Sequence, residues 1–162
     1  MLIQDCNGNK LLEIIKTKED DNIYSQYAPL THSLIVVKIG TDYLMGWNHW
    51  RNDWEIFGGC MEKNENIREC IIRECNEELG LEENAYTYIG LMKYDMAPGY
   101  FNPLQHIEYG ALFGITLPET SFEKIKINRK DKDEIEKLAF YNDVYGKEKI
   151  AEIDEVLLNY WK

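Results

Sequence analysis

The stretch GGCMEKNENIRECIIRECNEELGL, residues 58–81, opens on two glycines and carries Glu62, Glu65, Glu69, Glu74 and Glu77 before a further glutamate, Glu78, directly beside the last. Its ends are those of a helix. Asn66 offers a side-chain acceptor to the first turn and Glu69, three residues on, completes a capping-box pattern. Gly80 suits the left-handed position that closes a last turn. The spacing predicts a helix over 66–79. At about 100° per residue, Ile67, Cys70 and Ile71 share one face, and Glu74, Glu77 and Glu78 continue it toward the C-terminus. A stripe aimed at the core turns acidic.

Ordinary surface pairing accounts for part of this. Glu69, Arg73 and Glu77 stand four residues apart and suit a solvated ladder, each pair worth about 0.3–0.5 kcal/mol. Glu74, Glu77 and Glu78 are different. They gather at the negative end of the helix dipole, where carboxylates are disfavoured, and no lysine lies within one turn. Such a group calls for a cation, and several hard oxygen ligands suit Mg²⁺ or Mn²⁺, whose shells are completed by water and phosphate oxygens.

The rest of the chain limits the setting of this helix. At 162 residues, with 44% hydrophobic and 29% charged, it is long enough for one buried core and short for two domains, so a single domain over 1–162 is expected. A formal net charge of −11 and the absence of a Lys/Arg stripe disfavour long nucleic acids as partners. A small phosphate compound remains compatible if a metal bridges the two negative partners. The N-terminal MLIQDCNGNK lacks the basic and apolar regions of a secretory signal. The longest uncharged apolar run, Tyr109–Pro118, is about half of what a membrane span needs. Cys6, Cys60, Cys70 and Cys75 form no CxxC pair, which fits buried thiols in a reducing cytosol better than disulfides or zinc ligands.

Apolar runs around Asn7-Gly8 predict a β-hairpin. Residues 33–39 and 42–47 predict two strands around Gly40, and WEIF (54–57) a short strand entering Gly58-Gly59. Two β-rich segments, residues 85–96 and 106–117, flank the loop APGYFNPLQ, whose two prolines exclude a central strand. A charged turn over 128–137 leads to a last short strand in LAFYNDV, and Ile150, Ile153, Val156, Leu157, Tyr160 and Trp161 mark an apolar stripe on a C-terminal helix. The order predicts helices packed against a mixed sheet, an α/β/α or α+β layer fold.

Gly59, Glu65, Arg73, Glu74, Glu77, Glu78 and Gly80 fall at all seven fixed positions of the pattern glycine-x5-Glu-x7-Arg-Glu-U-x-Glu-Glu-x-Gly-U, U being bulky and aliphatic. By these residues the chain resembles the MutT-like Nudix hydrolase family, with the box at 59–81. Leu81 satisfies the last U and Cys75 stands at the first; Phe57 stands where a proline is common. The resemblance implies a Nudix α/β/α sandwich with a mixed β-sheet between helices. It also implies a metal-dependent pyrophosphohydrolase acting on a nucleoside diphosphate linked to another group, such as a nucleoside triphosphate. It places the metal, Mg²⁺ or Mn²⁺, on the carbonyl of Gly59 and the carboxylates of Glu74, Glu77 and Glu78. Arg73 would orient the glutamates, Glu65 would tie the loop to the helix, and Glu74, Glu77 and Arg73 form the expected catalytic set. A general base could come from the box or from Glu134, Asp133 or Glu119 in later loops.

Two loops bear on substrate choice. Arg51, in WNHWRNDW (47–54), could reach a phosphate while a tryptophan stacks on a base, or the tryptophans could cap the core. Tyr100 or Phe101 in PGYFNP could lie against a base, or the loop could pack on itself. His32, His49 and His106 lack metal-ligand spacing, and Cys60 is expected to be a small apolar residue. Two other functions share the fold: a nucleotide-sensing module without catalysis, which would normally lose box carboxylates, and an isopentenyl-diphosphate-isomerase-like enzyme, which needs further residues outside the box. A small-molecule nucleotide is the expected partner, with the protein a cytoplasmic monomer or homodimer.

Overall fold

In the computed structural model, which describes residues 1–162, strand β3 (Leu30–Ile39) runs through the middle of the molecule. Its side chains alternate as a pleated strand requires: Ile35, Val37 and Ile39 enter one buried cluster and Val36 another on the opposite face. A strand apolar on both faces needs cover on both. One neighbour is β8 (His106–Leu117), parallel, with Leu34 opposite Leu112. On the other side β3 pairs antiparallel with β4 (Asp42–Asn48) and with β6 (Phe57–Cys60).

The sheet extends outward by antiparallel pairs. β7 (Thr87–Met96) joins β8, followed by β2 (Lys10–Ile15) and β1 (Ile3–Gln4), the hairpin expected around Asn7-Gly8. β5 (Asp53–Glu55) and β9 (Ile135–Phe140) both pair with β4. The single expected strand WEIF is divided: Trp54 and Glu55 pair with β4, whereas Phe57 pairs with Ile35 of β3. The break re-aims the chain so that Gly58 and Gly59 lie against β3.

After a short helix α1 (Ile23–Gln26), helix α2 (Ile67–Leu79) is the long helix expected from the sequence. The Asn66 side chain accepts from Glu69 N–H and the Glu69 side chain from Asn66 N–H, while Gly80 closes the helix at φ 63°. Ile67, Ile71, Cys75 and Leu79 fill one side of the sheet together with Ile125 of α3 (Ser121–Asn128). α4 (Tyr141–Val144), α5 (Glu152–Leu157) and a closing 3₁₀ turn (Leu158–Tyr160) cover the other side, where Val144, Leu157 and Leu158 are buried. Helices on both faces of a mixed sheet give the α/β/α layering the sequence predicts.

Candidate active site

The site begins where β6 hands the chain to α2. Gly58 has φ 132°, outside the range comfortable for side chains, and a Cβ there would collide with the Ser33 carbonyl. At Gly59 a Cβ would stand 2.5 Å from Glu74 Oε1. The glycine pair therefore lets backbone press against the helix, and two bonds hold it: Gly58 N–H donates to Glu78 Oε1 at 2.8 Å and the Cys70 thiol donates to the Gly59 carbonyl at 3.3 Å.

Arg73 is the hub on the solvent side of α2. Its Nε donates to Glu65 Oε2 at 2.7 Å, its Nη1 to Glu74 Oε1 at 2.9 Å and to Glu77 Oε2 at 3.4 Å, and its Nη2 to the Cys60 carbonyl at 3.0 Å. Glu65 also accepts from Glu62 N–H at 3.0 Å, so it ties the loop to the helix as expected. Glu69 belongs to the cap, and the expected ladder through Glu69 is replaced by this fan of bonds from Arg73. The box glutamates also divide. Glu78 is 2% exposed and points inward, Glu74 lies against Gly59, and Glu77 keeps a side chain 46% exposed beside Arg73. Helical geometry explains the split, because Glu77 stands about 100° round the axis from Glu78.

The residues that complete the cluster come from the loop before β9, which sequence spacing alone does not bring near α2. Lys130 and Asp131 N–H donate to the Glu77 carbonyl at 3.0 and 2.7 Å, capping the end of α2. The buried guanidinium of Arg129 donates to the Ile135 carbonyl at 3.0 and 2.9 Å and to the Glu136 carbonyl at 3.0 Å, which fixes the loop from below. Carboxylate oxygens of Glu78, Asp131 and Glu134 then all lie within 4.8 Å of one another. Burial, with Glu74, Glu134 and Asp131 nearby, pushes the Glu78 carboxyl well above the ordinary range. Glu134 is raised chiefly by burial and partly restrained by Arg51.

A cavity of about 620 Å³ touches this cluster through Glu134 and is lined also by Gly58, Gly59, Arg73, Glu74 and Arg51 among others, with Glu77, Glu78 and Asp131 outside its lining. Arg51, expected to reach a phosphate, stands at its wall with Nε 2.6 Å from Glu55 Oε2 and Nη2 3.8 Å from Glu134. Of the candidate bases, Glu134 lines this cavity, Asp133 is exposed on the same turn, and Glu119 packs over Gly40 elsewhere. Tyr100 is 94% exposed and belongs to an adjoining hollow. Trp47 and Trp54 pack edge to face at 5.4 Å, with Trp54 2% exposed, so these two serve the core as the second reading of their loop had it. His32 is bonded to Thr31 and Tyr94, and its burial lowers its pKa to about 4. All four cysteines are free, but only Cys70 and Cys75, on the inward face of α2, are buried as expected, whereas Cys6 and Cys60 lie on exposed turns and edges. Cys60, expected to behave as a small apolar residue, is exposed at the cavity wall.

The family model for the NUDIX domain matches residues 31–156, and the chain belongs to the Nudix family. Solved structures share its fold at low identity. A point mutant of the Bacillus subtilis pyrophosphohydrolase BsRppH aligns with a TM-score of 0.62 and 15% identity, covering 98% of this chain and 93% of that one. The NUDIX domain of Shewanella oneidensis NrtR, complexed with ADP ribose, aligns at 0.61 and 9%, covering 88% and 96%. The MutT protein from Methanosarcina mazei Go1 aligns at 0.55 and 12%, covering 80% and 90%. No curated protein sequence matches the chain. No helix is long and apolar enough to cross a membrane.

The donor set fits the divalent metal associated with this family. Three carboxylates converge, one of them buried, and Gly58 N–H is the donor bonded to that buried group. Oxygen-only ligands of this kind suit Mg²⁺ or Mn²⁺.

Proposed function

We propose that this protein is a metal-dependent pyrophosphohydrolase that cleaves the diphosphate bond of a nucleotide. The observation that carries the reading is the convergence of Glu78, Asp131 and Glu134, the last of which lines a cavity together with Gly59 and Glu74. The ion would be held by Glu78 and Asp131 with Glu74, Glu77 and the Gly59 carbonyl, and when bound it supplies positive charge against the diphosphate oxygens.

The chain's own groups do the remainder. Arg73 fixes Glu74 and Glu77, and Arg51 offers its exposed guanidinium to a phosphate at the rim. Glu134 accepts the proton of a water whose oxygen forms a bond to phosphorus. The bridging P–O bond then breaks, and its electron pair leaves with the departing phosphate. Burial raises the Glu134 carboxyl, which makes it a stronger base than an ordinary glutamate.

The test is an assay with Mg²⁺ or Mn²⁺ and a panel of nucleotides, in which phosphate and pyrophosphate are measured separately. Turnover should require the metal, and Glu77→Gln and Glu78→Gln should each lower kcat by roughly two to three orders of magnitude. Equal activity in wild type and both variants would reject the site.

A further inference from the structure

Asn48, the last residue of β4, is fully buried although its side chain is a carboxamide. Such a group offers two N–H donors and two acceptor lone pairs, and burial requires partners for them. All four are met. Asn48 Oδ1 accepts from Trp50 N–H and Arg51 N–H, both at 2.9 Å, and Nδ2 donates to Glu55 Oε1 at 3.2 Å and to Glu134 Oε1 at 3.5 Å. With amide hydrogens on one side and carboxylates on the other, the amide fits in one orientation only. The backbone supports the same junction: the Asn48 carbonyl accepts from Asn52 N–H and the Glu134 carbonyl from His49 N–H, each at 2.8 Å. The pairing of β4 with β9 also slips here, from Trp47 opposite Lys137 to Asn48 opposite Ile135, with Glu136 left out. An irregularity of this kind re-aims a side chain.

The two ends of the carboxamide have different consequences. On the oxygen side, the paired N–H bonds wind the chain into a turn that carries Arg51 back over Glu55. Arg51 Nε and Nη2 donate to Glu55 Oε2 at 2.6 Å and Oε1 at 3.0 Å, and Nη1 makes no bond to the protein where Arg51 lines the cavity. On the nitrogen side, Nδ2 stands between two carboxylates that would otherwise repel each other. Its bond to Glu134 is the one hydrogen bond that carboxylate receives from the protein, with Arg51 Nη2 further off at 3.8 Å. An aspartate at 48 would keep both acceptors for the turn and lose the donor.

We infer that Asn48 is a positioning residue of the hydrolytic site: its carboxamide fixes the Glu134 carboxylate and the Arg51 guanidinium relative to each other, so that proton acceptor and phosphate contact face one bound diphosphate together. This rests on the hydrolase reading and adds to it a residue outside the glycine and glutamate pattern.

The experiment measures kcat and KM with Mg²⁺ on ATP, ADP-ribose and diadenosine tetraphosphate, using whichever wild type turns over fastest. Asn48→Ser and Asn48→Asp are made alone and in combination with Glu134→Gln or Arg51→Ala. Serine keeps a hydroxyl that can accept from the turn but is too short to reach either carboxylate; aspartate keeps nearly the original shape. Each substitution alone should lower kcat about tenfold and raise KM about threefold. Beside Glu134→Gln, either one should leave the residual kcat within about twofold, and beside Arg51→Ala it should leave KM within about twofold. A residue that merely supports the fold would cost the same factor in every background, because independent effects add. Additive costs in an active enzyme would therefore overturn the inference alone. Circular dichroism at the assay temperature reports the fold, and two variants that both fail to fold would assign Asn48 to stability and overturn it as well. No turnover of any of the three compounds by wild type would reject the hydrolase reading and this inference with it.

Discussion

At the scale of single residues, Gly59 and Asp53 show how the cleft trades comfort for chemistry. An alanine at 59 would place its Cβ 2.5 Å from Glu74 Oε1, and the carboxylate is the part free to move. Gly59→Ala should therefore leave the melting temperature within a few degrees of wild type while weakening Mn²⁺ binding and kcat together. Calorimetry and circular dichroism separate the two effects. Asp53 is 7% exposed, its Oδ1 lacks a hydrogen-bond partner, and burial beside Glu55 raises its pKa to about 7. Because the folded pKa lies above the unfolded one, the folded state binds the extra proton between about pH 4 and pH 7, and stability from this group is lost as pH rises through that window. Asp53→Asn should thus be more stable than wild type at pH 8, with the difference shrinking toward pH 5, and thermal melts at the two pH values are the check.

At the scale of elements, helix α2 and the loop preceding β9 act as one unit. Removing the cap by Asn66→Ala loses the acceptor for Glu69 N–H and should cost about 1 kcal/mol, or a fall of about 2–4 °C in melting temperature. Arg129→Ala would free the carbonyls of Ile135 and Glu136. It should speed amide exchange at Lys130 and Asp131 and lower kcat more than it lowers thermal stability. How much of this was legible in the sequence follows from the range of the interactions. The caps of α2, the hairpin at Asn7-Gly8 and the glycine pair rest on neighbours within a few residues, and local spacing displays them. The helix over Ser121–Asn128 has no side-chain cap and only Ile125 buried, so local spacing hardly marks it. Division of WEIF at Ile56 depends on two different partner strands. Asp131 joins Glu78 through backbone bonds to the Glu77 carbonyl, which no residue pattern announces. Glu134 stood among three candidate bases, and position alone separates it from Asp133 and Glu119.

At the scale of the whole molecule, a net charge of −11 concentrates part of its self-repulsion in the cleft. Anything that binds the folded acidic cluster and ignores the unfolded chain raises stability, by about 2.7 kcal/mol at roughly a hundredfold excess over Kd. Stripping divalent ions with a chelator should lower the melting temperature, and added Mn²⁺ should restore it by several degrees. Glu78→Gln should melt higher than wild type in chelator, since a buried acid crowded by Glu74, Asp131 and Glu134 becomes neutral, and should respond far less to Mn²⁺. A wild type indifferent to both additions would show that no cation belongs in the cleft.

The parallel pairing of β3 with β8 has a consequence for synthesis. Leu30 to Ile39 can find Tyr109 to Leu117 only after some seventy further residues have emerged, as the register from Leu30–Tyr109 to Ile39–Leu117 shows. The segment bearing Asp131 and Glu134 emerges later still. A growing polypeptide therefore carries the two glycines and their glutamates through the synthesis of roughly fifty further residues with nothing to complete the acidic cluster. Competence arrives late and all at once, and a fragment ending before residue 131 should be inert however well its long helix forms.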